Sequence, residues 1–153
     1  MLAQSLRLKR SDVSEHDHVT GGNEDTMSTI VVIDDEENIR SSLQERLTID
    51  GYHVWVAPDG RKGLQLYHDH QVDLVITDVL MPEMDGLEVV RALRRFNSTI
   101  PIIVMSGGGG RDFDFLIEAE EFGATRTLSK PFRLEEIVAL VHELLDSHGH
   151  PHT

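Results

Sequence analysis

The fold can be predicted from a short apolar run that ends in two acids, Ile30-Val31-Val32-Ile33-Asp34-Asp35. Two later apolar runs are each followed by a polar residue with a functional group: Leu74-Val75-Ile76-Thr77 precedes Asp78, and Ile102-Ile103-Val104-Met105 precedes Ser106. A shorter fourth segment, Thr127-Leu128-Ser129, precedes Lys130 and Pro131. Apolar runs without alternation of polar residues are typical of strands that are buried on both faces of a parallel sheet.

Amphipathic helices are predicted between these strands. After Asp35, apolar residues recur at helical spacing at Ile39, Leu43 and Leu47, and Gly51 ends the pattern. Similar patterns follow each later strand, so strand and helix alternate five times along the chain. This alternation predicts an α/β protein of the flavodoxin-like (βα)5 type. This fold is a three-layer sandwich in which helices cover both faces of a parallel sheet of strand order 2-1-3-4-5.

The predicted fold brings the polar groups after the strands to one crevice, because the carboxyl ends of parallel strands meet there. Two carboxylates about 4 Å apart repel by roughly 4 kcal/mol at an effective dielectric near 20, so three together require a cation. Carboxylate oxygens suit Mg²⁺. We expect Asp34 and Asp35 to hold the cation, with Asp35 as the direct ligand. Asp78 is the expected nucleophile on phosphorus, and Ser106 and Lys130 are expected to contact the phosphoryl oxygens.

The chain resembles the receiver domain of bacterial two-component response regulators over about residues 27–147. The motifs that carry the resemblance are Asp34-Asp35, Thr77–Pro82 with Asp85-Gly86, Met105-Ser106-Gly107 and Lys130-Pro131-Phe132. Any one of them alone would be a weak signal, but all four in this order are specific. The resemblance implies that Asp78 accepts a phosphoryl group from a histidine kinase or a histidine phosphotransfer protein.

The resemblance also implies further details of the site. Mg²⁺ would be bound by the acidic pair, by Asp78 and by the backbone carbonyl of Leu80, and the peptide bond before Pro131 would be cis. One position departs from the family pattern. Receivers commonly carry an aromatic residue three positions before the lysine, and this chain has Thr127 there. The route from Ser106 to an output surface is therefore expected to differ from the usual one.

Composition limits the other functions. The chain has 153 residues, a formal net charge of −13 and no cysteine, which excludes disulfides and thiolate chemistry and argues against nucleic-acid binding. The arginines 91, 94 and 95 are predicted to be a solvated helix end. No apolar run is long enough to enter a membrane, so a cytoplasmic location is expected. We predict a disordered N-terminal extension over 1–26, a receiver domain over 27–147 and a flexible histidine-containing tail over 148–153.

The same residues allow other interpretations. Asp34 and Asp35 could cap a helix, Asp78 could be a turn residue, and Lys130 could be an ordinary surface lysine. The run Gly107–Gly110 could be a mobile loop or an anion-binding nest, but it lacks the lysine of a nucleotide P-loop. A phosphatase of the haloacid dehalogenase type needs a carboxylate where Leu80 stands.

A degenerate receiver that only binds partners, and a flavin-binding electron carrier, are the remaining alternatives. Among these alternatives, we favour a stand-alone phosphoacceptor switch, which catalyses nothing beyond its own phosphorylation and dephosphorylation. Its output would pass through an unidentified protein partner, and homodimerisation is left open.

Overall fold

The computed structural model describes residues 27–107 and 112–149. The predicted disordered extension (1–26), the segment 108–111 and the last four residues (150–153) lie outside the described residues. The strands are β1 Thr29–Ile33, β2 His53–Ala57, β3 Leu74–Asp78, β4 Ile102–Ser106 and β5 Arg126–Ser129. The helices are α1 Glu37–Ile49, α2 Gly60–Asp69, α3 Gly86–Phe96, α4 Asp112–Phe122 and α5 Leu134–Gly149. Helix α5 thus extends two residues into the predicted tail.

All five strands form one parallel sheet in the order β2-β1-β3-β4-β5, so the predicted topology is confirmed. The register places Ile33 of β1 beside Thr77 of β3, and Asp78 beside Met105 of β4. The residues that follow β1, end β3 and end β4 therefore lie at the same edge of the sheet. This edge is the crevice that the sequence predicts.

The sheet separates two apolar clusters, one on each face. Helices α1 and α5 cover one face, where Leu43, Leu47, Ile137 and Val141 pack on alternate strand residues. Helices α2, α3 and α4 cover the other face, and its fully buried residues include Val90 and Ala119. Every residue of β3 and β4 is buried, which explains why these strands show no polar alternation. The predicted three-layer sandwich is confirmed.

Local capping explains where the helices on the second face begin. Asp85 and Glu88 form a reciprocal capping box at the start of α3, and Asp59 accepts a hydrogen bond from the Lys62 N–H at the start of α2. Helix α1 differs, because its N-cap residue Glu36 makes no side-chain capping bond. The Glu36 carboxylate contacts the candidate site instead.

Arg94 is not the solvated residue that the sequence suggests. Its Nε and Nη2 both donate to the carbonyl oxygen of Gly123, at 3.0 and 2.8 Å, and its Nη1 donates to the Asn97 carbonyl at 3.1 Å. Partial burial of the guanidinium lowers the pKa of Arg94 below its ordinary value. The arginine therefore ties the end of α3 to the turn between α4 and β5.

Two further features lie away from the crevice. Trp55 on the edge strand β2 stacks on His70, with ring centroids 4.1 Å apart. His70 follows the last residue of α2, at the end of the domain where the strands begin. Among the described helices, none combines the length and the apolar character that a bilayer-spanning segment needs.

Candidate phosphoryl and metal site

Three carboxylates meet at the carboxyl edge of the sheet. Asp34 follows β1, Asp78 is the last residue of β3, and Asp35 opens the loop toward α1. One oxygen from each of the three lies within 4.8 Å of the others. Asp34 and Asp78 are buried, whereas Asp35 is exposed. The structure thus gathers the acidic residues that the sequence singles out, and it gives Asp35 the open side of the cluster.

Lys130 enters the same crevice from the end of β5. Its backbone N–H donates to the carbonyl of Ser106 at 2.7 Å, which extends the β4–β5 pairing by one residue. The Nζ atom lies 3.1 Å from Asp34 Oδ2, where it donates a hydrogen bond, and 3.5 Å from Asp78 Oδ1. The peptide bond between Lys130 and Pro131 is cis. One ammonium group therefore faces the two buried carboxylates of the cluster.

The electrostatics of the cluster oppose ionisation of its buried acids. Burial, and to a smaller extent the Asp34 carboxylate, raise the pKa of Asp78 from 3.8 to about 7, although Lys130 acts against both. Burial also raises the pKa of Asp34, although the Glu36 N–H and Lys130 act against it. Desolvation lowers the pKa of Lys130, but the Asp78 and Asp34 carboxylates outweigh it and the net shift is upward. The site is short of positive charge.

Two buried polar atoms of the site lack a hydrogen-bond partner among the described residues. They are Asp78 Oδ1 and Ser106 Oγ, which belong to neighbouring strands. A buried polar atom without a partner costs about 1–3 kcal/mol, so such atoms call for an explanation. Both atoms lie where the sequence predicts a phosphoryl group to bind.

The residues present fit a divalent cation. Carboxylate oxygens are the ligands that Mg²⁺ takes, and three of them lie close enough to share an ion. The raised pKa of Asp78 indicates that a cation would favour its ionised form. The predicted contribution of the Leu80 carbonyl stays a prediction; the Leu80 side chain is half-exposed beside Asp78.

Glu36 contacts the site although the sequence does not single it out. Its backbone N–H donates to Asp34 Oδ1 at 2.8 Å, and its Oε1 accepts a hydrogen bond from Lys130 Nζ at 3.3 Å. From the sequence alone, Glu36 and Glu37 are expected only to complement the N-terminus of the following helix. The signal that could have identified Glu36 is the length of that run, since a helix start does not need two more acids after Asp35.

Helix α3 begins against the backbone of the phosphoacceptor candidate. The Gly86 N–H donates to the carbonyl of Val79 at 2.8 Å. A Cβ atom at Gly86 would overlap the carbonyl oxygen of Asp78, so only glycine fits without displacing the end of β3. This glycine thus allows α3 to begin directly against the backbone of Asp78.

The position three residues before Lys130, where the family commonly has an aromatic residue, is Thr127 in this chain. Thr127 lies partly buried in β5, and its hydroxyl donates a 3.5 Å hydrogen bond to Glu120 Oε2 of α4. This link joins β5 to the helix that follows the Ser106 loop. A small hydrogen-bonding side chain therefore stands where an aromatic ring is common.

The parallel sheet and the acidic crevice with its lysine define a receiver domain, and the comparisons with known proteins agree. The family model for the response regulator receiver domain matches residues 30–142. The chain belongs to this family, and it is a receiver domain of the two-component type.

Its relatives are response regulators. Response regulator MprA of Mycolicibacterium vanbaalenii is 41% identical over 117 residues, which is 76% of this chain and 49% of that protein. The chain thus spans about half the length of the curated relatives it matches.

Solved receiver structures match this chain over almost their whole length. A receiver domain protein from Clostridium thermocellum has a TM-score of 0.73 and 29% identity, covering 79% of this chain and 96% of that one. The chemotaxis protein CheY4 of Vibrio cholerae has a TM-score of 0.71 and 31% identity, covering 78% and 99%.

Proposed function

We propose that this receiver domain is a phosphoacceptor switch and that Asp78 is the residue phosphorylated. The observation that carries the proposal is the position of Asp78 itself. Its carboxylate is buried beside two other acids and Lys130, and its Oδ1 has no hydrogen-bond partner among the described residues. A nucleophilic oxygen with an unused lone pair, next to positive charge, is suited to attack phosphorus.

The proposed reaction is transfer of a phosphoryl group from a phosphohistidine. An Asp78 carboxylate oxygen forms a bond to phosphorus as the bond between phosphorus and the imidazole nitrogen breaks. The bonding electrons return to the imidazole, and Asp78 becomes an acyl phosphate. When bound, Mg²⁺ offsets the negative charge of the carboxylates and the phosphoryl oxygens. Asp34 and Asp35 are the residues that would hold it beside Asp78.

Ser106 and Lys130 are the proposed contacts of the phosphoryl group. Ser106 Oγ is buried without a partner among the described residues, so its hydroxyl can donate to a phosphoryl oxygen without breaking a described bond. The Lys130 ammonium lies 3.5 Å from Asp78 Oδ1 and can bind an oxygen of the group attached there. The phosphoryl group adds about −1.5 to −2 charge, which would shift the domain between two surface arrangements.

The proposed donor is a histidine kinase or a histidine phosphotransfer protein, and the proposed output is binding of a protein partner. We place this exchange in the cytoplasm and expect no reaction other than gain and loss of the phosphoryl group. The hydrogen bond between Thr127 and Glu120 is the contact through which α4 would respond, in place of an aromatic side chain.

The test uses acetyl phosphate as a small phosphodonor in the presence of Mg²⁺. The wild-type chain is expected to gain the mass of one phosphoryl group, whereas Asp78→Asn gains none. Asp114→Asn is the matched control, because Asp114 is an exposed acid on α4. A chelator should abolish uptake by the wild type. Uptake that persists in Asp78→Asn would overturn the proposal.

A further inference from the structure

We propose that Glu36 is a positioning residue that competes with the phosphoryl group for Lys130. This inference rests on the proposed function of Asp78. In the structure the Glu36 carboxylate accepts a hydrogen bond from Lys130 Nζ at 3.3 Å, although Glu36 is not a predicted metal ligand and its side chain makes no capping bond at the start of α1. The backbone N–H of the same residue is bound to Asp34 Oδ1, which fixes the residue beside the site.

The Lys130 ammonium is already bound by two carboxylates. It carries three N–H donors: two of them are donated to Asp34 Oδ2 and Glu36 Oε1, and Asp78 Oδ1 lies 3.5 Å away without accepting a hydrogen bond. A phosphoryl group on Asp78 can bind the third donor, and it gains a second donor only if one carboxylate gives way. The question is which carboxylate gives way.

Burial identifies Glu36 as the one that is released. The side chain of Asp34 is 0% exposed, so removing Lys130 from it would leave a buried charge without its partner. The side chain of Glu36 is 59% exposed, and water can solvate its carboxylate once the contact breaks. Asp78 keeps its place because it carries the phosphoryl group. Glu36 is thus the contact that costs least to break.

Two effects of Glu36 therefore oppose an anion at Asp78. The Glu36 carboxylate occupies a donor of Lys130 that could otherwise bind a second oxygen of the anion, and its negative charge repels the anion. Both effects act through the solvent-exposed side of the site, where an ion pair contributes little energy. Replacing Glu36 by glutamine is expected to tighten binding of a phosphoryl mimic by about two- to fivefold.

The test is a calorimetric titration with beryllium fluoride, an acyl-phosphate mimic, in the presence of Mg²⁺. It compares the wild type with Glu36→Gln and Glu37→Gln. Glu37 is the matched control, because it is an exposed acid one residue along the chain and makes the same charge change. We expect tighter binding by Glu36→Gln and wild-type affinity for Glu37→Gln. A variant with a damaged α1 would bind more weakly, so tighter binding cannot arise from structural damage.

The outcomes separate the two proposals. If the wild type takes up no beryllium fluoride, or if Asp78→Asn takes it up equally, the proposed function is wrong. If the wild type binds, Asp78→Asn does not, and Glu36→Gln binds with unchanged or weaker affinity, only the role of Glu36 is wrong. Equal tightening by both glutamine variants would also overturn that role, since net charge alone would then explain the effect.

Discussion

Replacing Asp78 by asparagine should stabilise the metal-free domain at alkaline pH. Burial, together with the smaller effect of the Asp34 carboxylate, raises the pKa of the Asp78 carboxyl from its ordinary value of 3.8 to about 7. The folded protein therefore resists ionising a group that ionises freely when the chain unfolds. Asparagine has nearly the same shape and carries no charge, so it removes this conflict.

The sign follows from proton linkage. Asp78 has a raised pKa in the folded state, so its stabilising contribution is fully present below pH 3.8 and is lost as the pH rises through about 7. Between pH 3.8 and about 7, the folded state binds more protons than the unfolded state does. The free energy of unfolding then falls by up to about 1.4 kcal/mol per pH unit. The total loss is about 4 kcal/mol as an upper bound.

The expected gain in Asp78→Asn is smaller than this bound, because the new amide must also find hydrogen-bond partners. We expect the variant to exceed the wild type by about 2 kcal/mol in free energy of unfolding at pH 8 in a chelator. The difference should shrink toward zero near pH 4. Added Mg²⁺ should stabilise the wild type more than the variant, because the variant lacks one of the three carboxylates.

Urea unfolding at a series of pH values between 4 and 8 measures this difference directly. Asp114→Asn again serves as the control for the loss of one exposed acidic charge. The reasoning is refuted if the curves of wild type and Asp78→Asn run parallel across the pH range. It is equally refuted if the asparagine variant is the less stable protein at pH 8.

Two further predictions concern backbone contacts. Gly86→Ala should destabilise the fold by about 1–3 kcal/mol and slow phosphorylation, because its Cβ would overlap the Asp78 carbonyl. Gly107→Ala is the control, because its Cβ would meet nothing within 4 Å. It should not lower the free energy of unfolding in the same urea assay. Arg94→Met should cost about 2 kcal/mol, because it leaves the Gly123 carbonyl without its two N–H donors. Arg95→Met, at an exposed position, should change stability by less than about 0.5 kcal/mol, and an equal loss in both arginine variants would contradict this account.

Most of the fold could be predicted from the sequence, because the strongest sequence signal, the uninterrupted apolar strands, is also a physical cause of the fold. Uninterrupted apolar strands such as Ile102–Met105 can be stable only when both faces of the sheet are covered. Alternation with helices then leaves one common topology. The gathering of Asp34 and Asp78 follows from that topology alone, since both residues stand at strand ends.

Side-chain pairing could not be predicted in the same way. The sequence places Glu36 near a helix start, and an acid there is stabilising with or without a contact to Lys130. The partner of Arg94 was missed for a related reason, because Gly123 lies 29 positions away and offers only a backbone carbonyl. Every residue has a backbone carbonyl, so the sequence does not indicate which carbonyl accepts a hydrogen bond. Contacts of this kind are therefore seen only in the structure.

The stacking of Trp55 on His70 determines what the intrinsic fluorescence of this protein reports. The chain has a single tryptophan, and its ring lies against an imidazole rather than against the acidic crevice. A change in emission on adding Mg²⁺ or a phosphodonor would therefore signify a rearrangement that reaches the Trp55–His70 pair.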